Sequence, residues 1–129
     1  GVSLTTSFAS AYAFDAGRAE MQRLLAAGQC AEAWFCGDDI LSIGAISALA
    51  DAGVRVPEDV GILGLNDMEM AAWPTINLTT IRQPIAAIVD AAVAQMVAIL
   101  NDAGQPPEAR LFDCSIVERG TLRPIRPQP

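Results

Sequence analysis

Lysine and histidine are absent from this 129-residue chain, so all eight basic side chains are arginines. Without lysine there is no Walker-type phosphate loop, no Schiff base and no lysine general base. Without histidine, serine–histidine and cysteine–histidine hydrolysis and the common zinc sites are excluded. Fifteen acidic residues against eight arginines leave a net charge of -7, and the arginines stand singly rather than in a stripe. Such a chain is not expected to neutralise the phosphates of DNA or RNA, or to settle on an anionic membrane, by itself. Its longest greasy stretch, residues 85–100, is only sixteen residues long and holds Asp90, too short and too interrupted for a membrane span.

What is present describes a folded domain. With 52% hydrophobic and only 18% charged residues the chain has the material for a core, and its length suits one domain. The cysteines Cys30, Cys36 and Cys114 are odd in number and lack CxxC spacing, so free, mostly buried thiols in a reducing cytosol are expected. The opening GVSLTTSFAS has neither an initiator methionine nor a signal-like run, as expected of a piece of something longer.

Periodicity then divides the chain. Val2 to Thr5 suits a short strand. From Phe14, the positions Phe14, Gly17, Met21, Leu24 and Leu25 follow helical spacing up to a stop at Gly28. Ala33 to Cys36 is a continuous apolar run, expected as a strand buried on both faces. Ile40 to Ala52 suits a mostly buried helix capped by Asp38 or Asp39, and Val60 to Leu65 a second buried strand. Alternation of this kind implies right-handed crossovers and a parallel sheet.

Asn66 to Asn77 is expected as a loop, Leu78 to Ile81 as extended chain, and Pro84 as the first helical position. Apolar residues at 85, 88, 89, 92, 93, 96, 97 and 100 then predict a helix packed between protein layers. Gly104 to Pro107 would end it. Leu111 to Val117 has strand character, and the proline-rich tail from Arg123 is expected to fray.

In an open parallel sheet, ligands bind where the carboxyl ends of strands meet helix N-termini. Tyr12, Asp38 and Asn66 fall at three such positions. A ring, a carboxylate and an amide around one mouth suit a polyhydroxylated or heterocyclic small molecule. Each has a plainer reading: Asp38 as a helix cap, Asn66 with Asp67 as a turn, Tyr12 as packing. Asp39 reads as structural. The Asp38–Asp39 pair lacks the second acidic cluster or histidine that acid–base or metal chemistry would need, so no metal, cofactor or catalytic residue is assigned.

The stretch FCGDDILSIGAISALADAGVRVPEDVGILGLNDMEMA, followed by LTTIRQPI, closely resembles the effector-binding core of the lactose-repressor and galactose-repressor family of bacterial transcription regulators. That pattern runs as an apolar strand, Asn-Asp, an apolar helix, G-x-x-V-P-x-D, a glycine–aromatic step with Asp-Asp, and L-T-T-[IV]-x-Q-P. It covers about residues 12–121, and VPEDVGILG and LTTIRQP are its most specific blocks. The resemblance implies an α/β, parallel-sheet three-layer sandwich of the type I periplasmic-binding-protein-like kind, here essentially one subdomain plus crossover segments. Residues 1–122 would be the C-terminal subdomain, with 84–103 a helix that packs in relatives on a first subdomain absent here, and 123–129 a flexible tail.

Carried over by position, Tyr12 matches the aromatic that packs on the effector, Asp38 the Asn of the Asn-Asp pair, and Asn66 the first Asp after the glycine–aromatic step. The two polar positions exchange carboxylate and amide relative to the pattern, and Leu65 replaces the aromatic. The helix containing Ile43 and Ser47, with the loop holding Met68, Met70 and Trp73, matches the dimer contact of relatives. The implied protein is a cytoplasmic, non-enzymatic regulator. It would bind a small effector, a sugar or a related polyhydroxylated compound, and would form homodimers. Operator DNA would be reached only through an N-terminal helix-turn-helix absent from this chain.

A sugar-binding receptor of a transport system shares the fold but would need a signal peptide and would normally avoid three free cysteines. A small flavodoxin-like enzyme would need a nucleophile or a phosphate-binding glycine loop. If residues 85–100 have lost their partner, their apolar face is expected to fold back, to swap with a second chain or to aggregate.

Overall fold

The computed structural model describes residues 3–29, 31–102, 104, 106 and 108–124. Helix α1 (Phe14–Ala26) buries Gly17, Met21 and Leu24 on one stripe, at the spacing an amphipathic helix requires. It stops at Gly28, whose φ of 67° glycine adopts without a Cβ penalty; Gly28 N–H donates to Leu25 O and Gln29 N–H to Leu24 O. Helix α2 (Asp39–Asp51) ends by the same device at Gly53, φ 73°.

The two helices pack backbone to backbone. A Cβ on Gly17 would lie 2.6 Å from Leu41 O, and one on Gly44 would collide with Phe14 O and lie 2.7 Å from Arg18 N. Two glycines therefore let α1 approach α2 closely. Beneath them run β1 (Ala33–Phe35), β2 (Gly61–Leu65), β3 (Thr80–Arg82) and β4 (Ser115–Val117), in spatial order β1-β2-β3-β4. β1 and β2 pair in parallel with Trp34 opposite Ile62, and β2 and β3 in parallel with Gly64 opposite Thr80. β4 is antiparallel to β3, with Ile116 opposite Ile81. The core gathers Met21, Ala45, Ala48, Leu49, Val60, Ile62, Ala71 and Leu78 between these helices and the sheet.

The segment after β4 closes the opposite end of the sheet. Thr121 Oγ1 donates to Ile62 O (2.7 Å) and accepts from Thr79 N–H (2.9 Å), while Thr121 O accepts from Ile62 N–H (2.8 Å). One residue thus satisfies the backbone of both β2 and the start of β3 where they diverge.

Several expectations are corrected. The sheet is mixed: β4, which follows α3 (Ile85–Asn101), pairs antiparallel with β3 at the edge. Residues 3–9 form no strand, since no described strand lies beyond the β1 edge to receive them; Val2 lies outside the described residues. Nor is β1 buried on both faces: Phe35 is 59% exposed. The last strand shortens to Ser115–Val117, leaving Leu111 in solvent, and Pro84 caps α3 rather than forming its first turn.

Helix α3 spans the expected residues, but none of them is buried, and Val93, Met96, Val97 and Leu100 are all more than half exposed. Among the described residues, it is neither packed between layers nor folded back. Cys36 is half-buried and Cys114 exposed, so the expectation of mostly buried thiols fails at Cys114; both are free. Cys30, Ala103, Pro107 and the tail from residue 125 lie outside the described residues.

Gly44→Ala is expected to destabilise the fold by about 1–3 kcal/mol, although alanine is the better helix former, because overpacking at the crossing outweighs propensity. Urea denaturation measures this. An unchanged or raised midpoint would show that α1 and α2 do not touch there.

Candidate functional site

Because β1, β2 and β3 run in parallel, the residues leaving their carboxyl ends share one edge of the sheet. Asp38 follows β1, Asn66 follows β2 and Gln83 follows β3. Their side chains form one hydrogen-bonded chain: Asn66 Nδ2 donates to Asp38 Oδ2 (2.8 Å), and Gln83 Nε2 donates to Asn66 Oδ1 (2.5 Å). Asp38 Oδ1 accepts from Ile40 N–H (2.8 Å), so Asp38 is also the N-cap of α2. The cap and mouth roles fall to different oxygens of one carboxylate. Among the described residues, one side-chain amide hydrogen of Asn66 and the side-chain oxygen Oε1 of Gln83 have no protein partner. A half-exposed donor and acceptor beside a carboxylate can bind hydroxyl groups.

The neighbouring Asp39 points the other way and is fully buried. Its Oδ1 accepts from the Thr80 hydroxyl (2.6 Å) and its Oδ2 from Met68 N–H (2.7 Å). Gly64 makes room for it, since a Cβ there would strike Oδ1. Asp38 and Asp39 therefore have separate partners and do not converge on one proton.

The next residue along the loop is also anchored. Asp67 takes a 2.5 Å ion pair from Arg82 and one of 2.7 Å from Arg119, whose other Nη donates to Leu78 O. Burial acts to raise the Asp67 pKa, but the hydrogen bonds from Arg119 and Arg82 outweigh it and hold the carboxyl below its ordinary 3.8. Asn66 (φ 105°) and Asp67 (φ 51°) are both left-handed, a conformation costing of order 1–3 kcal/mol per residue.

Of the sequence candidates, Asp38 and Asn66 are brought together directly. Tyr12 sits in the bend before α1, 78% exposed, and shares no hydrogen bond with them among the described residues. In the candidate dimer surface, Trp73 and Met68 are exposed, at 48% and 36%, while Met70 and Ser47 are half-buried. Ile43 is buried within this chain and offers little to a partner. Gln83 was not singled out as a site residue, although it closes the LTTIRQ block. The roles of Asp67, Arg82 and Arg119 had no signal, since isolated charges far apart in sequence carry no spacing rule. A separate cleft of about 150 Å³ lies between residues 5–9 and α1, lined by Thr6, Ser7, Glu20, Phe35 and Cys36 among others. It includes none of the mouth residues, and burial pushes the Cys36 thiol pKa up, away from reactivity.

A family model described as a periplasmic binding protein-like domain matches residues 3–122. The chain is similar to the HTH-type transcriptional repressor CytR of Escherichia coli, 32% identical over 114 residues, covering 88% of this chain and 33% of that protein. Among solved structures it is similar to a LacI-family transcriptional regulatory protein from Corynebacterium glutamicum, with TM-score 0.73 and 33% identity, covering 94% of this chain and 47% of that one. It is also similar to the transcriptional regulator CelR in a complex with cellobiose, with TM-score 0.78 and 25% identity, covering 84% of this chain and 33% of that one. The chain spans about a third of the length of curated relatives such as CytR.

A carboxylate whose pKa is depressed on folding stabilises the fold above its unfolded value and loses that contribution as the pH falls through its folded value. For Asp67 the loss begins near 3.8 and continues below it. Asp59 and Glu20, held at about 2 by hydrogen bonds led by Arg55 and Arg23, add to the same acid limb. Asp67→Asn is therefore expected to flatten, but not abolish, the fall in unfolding midpoint below pH about 4. Thermal melts across that limb measure it, and equal slopes in both proteins would refute the ion-pair account.

Proposed function

The chain belongs to the periplasmic-binding-protein-like domain family, and from that membership we propose that it is the carboxyl-terminal part of the effector-binding core of a lactose-repressor-type transcription regulator. The observation that carries the reading is the Asp38–Asn66–Gln83 chain, which spans the ends of three successive parallel strands and offers a carboxylate, an amide donor and an amide acceptor. That set favours a small polyhydroxylated molecule, a sugar or a close analogue, with Tyr12 as the aromatic that would pack on it when the mouth is covered. The chain has no proposed catalytic role: at the mouth, Asp38, Asp39 and Asp67 are engaged by an amide, backbone N–H groups, a hydroxyl and arginines.

With a net charge of -7 and no lysine, contact with operator DNA falls to a separate helix-turn-helix head. Effector binding would alter the closure of two subdomains and so the spacing of two heads in a dimer. Trp73 and Met68 supply the exposed apolar part of the proposed dimer face, to which the half-buried Met70 and Ser47 and the buried Ile43 also belong. A cytoplasmic location follows from that role; no described helix is long and apolar enough to cross a membrane.

Calorimetric titration of the full-length protein with pentoses, hexoses and disaccharides tests the ligand class. For the sugar that binds, Asp38→Ala is expected to weaken affinity about 10- to 100-fold, as loss of hydrogen bonds to a charged group does. It should also cost about 1 kcal/mol of stability through the lost cap, whereas Asp38→Asn keeps the cap and the melting temperature. If Asp38→Ala melts early but binds undiminished, Asp38 is a cap and nothing more.

A further inference from the structure

The amide that joins Asp38 to Gln83 is delivered by an unusual corner. Asn66 and Asp67 are consecutive left-handed residues, at φ 105° and 51°. Side-chain-bearing residues rarely adopt such backbone, though asparagine and aspartate tolerate it best. Such a corner persists only where its surroundings over-determine it.

The surroundings here are specific. Asn66 N–H donates to Ile81 O (2.8 Å), and Met68 N–H to Asp39 Oδ2 (2.7 Å), so the corner is tied on both sides. Between these ties, one Asp67 oxygen takes Arg82 Nε (2.6 Å) and the other takes Arg119 Nη2 (2.7 Å). Arg119 comes from the segment after β4, 52 residues further along the chain. It is itself fixed, because Arg119 Nη1 donates to Leu78 O (2.8 Å) and Arg119 N–H to Thr79 Oγ1 (2.9 Å). Its side chain is only 15% exposed, while that of Arg82 is 57% exposed. The guanidinium of Arg119 is thus a rigid bracket, and Arg82 a more exposed second prong.

We propose that Arg119 and Arg82, acting through Asp67, are positioning residues that hold the Asn66 amide between Asp38 and Gln83 and so set the affinity of the mouth for a hydroxylated ligand. The proposal rests on the ligand reading above. Without the two guanidinium contacts, Asp67 keeps only the general tolerance of aspartate for left-handed backbone, with nothing to hold its carboxylate in place. The peptide between Asn66 and Asp67 is then held only by the long 3.4 Å contact of Asp67 N–H with Thr80 Oγ1, so it can turn and the Asn66 side chain leaves both neighbours. Neither arginine touches the ligand; each acts only through the corner. The segment after β4 is thereby coupled to the binding mouth.

The test uses the full-length protein, isotope-labelled on asparagine, as wild type and as Asp67→Asn, Arg119→Met and Arg82→Gln. Hydrogen exchange of the Asn66 side-chain amide, followed by NMR, reads the positioning with no ligand present. It is expected to accelerate about tenfold in Asp67→Asn and Arg119→Met and less in Arg82→Gln, while the backbone amides of Leu49 and Ile62 keep their protection. Calorimetry with ribose, glucose and cellobiose reads the affinity, expected to fall about tenfold in the same order for whichever sugar the wild type binds. A merely structural role would lower the melting temperature and leave both readouts unchanged in the folded protein. An Asn66 amide that exchanges at the wild-type rate in folded Asp67→Asn overturns the proposal whatever the sugars do. Should Arg119→Met not fold, Asp67→Asn, which keeps the shape of the side chain, and Arg82→Gln decide the matter. If no sugar binds the wild type but the amide is released as expected, the positioning stands and the failure belongs to the choice of ligand class.

Discussion

A single buried carboxylate ties together the elements that form the binding edge. Asp39 is fully enclosed, begins α2, accepts the Thr80 hydroxyl from β3 and accepts Met68 N–H from the loop after β2. A carboxylate withdrawn from water must recover its lost hydration through hydrogen bonds, and here the partners come from two other elements and the dipole of its own helix. The enclosure is possible only because Gly64 presents no Cβ toward it. With Asp39 in place, the start of α2, the end of β2 and the body of β3 are held at one relative height.

That constraint gives the adjacent aspartate its task. Since Asp39 faces inward, the extended backbone at Asp38 directs its side chain to the sheet edge, where one oxygen caps the helix and the other meets Asn66. The polar architecture is therefore layered. Asp39 fixes the elements below, the Asp67 ion pairs fix the corner beside it, and the Asp38–Asn66–Gln83 chain faces outward with hydrogen-bonding capacity to spare. Rigid support beneath an adaptable polar surface is what a selective small-molecule site requires.

Most of the elements were legible in the sequence. The stripe of Gly17, Met21 and Leu24, the stops at Gly28 and Gly53 and the apolar run at 60–65 follow from periodicity and backbone sterics, which act over a few residues. The failures concern what lies beside an element. Phe35 and the face of α3 read as buried because apolar residues ordinarily find cover, yet the described residues leave them largely exposed. A hydrophobic pattern reports that a face seeks a partner, not that the same chain supplies one. Ile43, placed at a dimer contact by analogy of position, is buried within this chain.

The sequence by itself determined the helices, the parallel strands, an aspartate cap at 38 or 39 and, through the VPEDVGILG and LTTIRQP blocks, the family, because each depends on local sterics or on a contiguous pattern. It also placed Asp38 and Asn66 at strand ends, where the direction of a parallel sheet brings them to one edge. Only the tertiary structure decided that β4 runs antiparallel, that Gln83 completes the polar chain, and that Arg119 reaches back across 52 residues to Asp67. Those contacts join isolated residues through space, and the register that brings them together is set by the packing of the whole sheet rather than by any spacing along the chain.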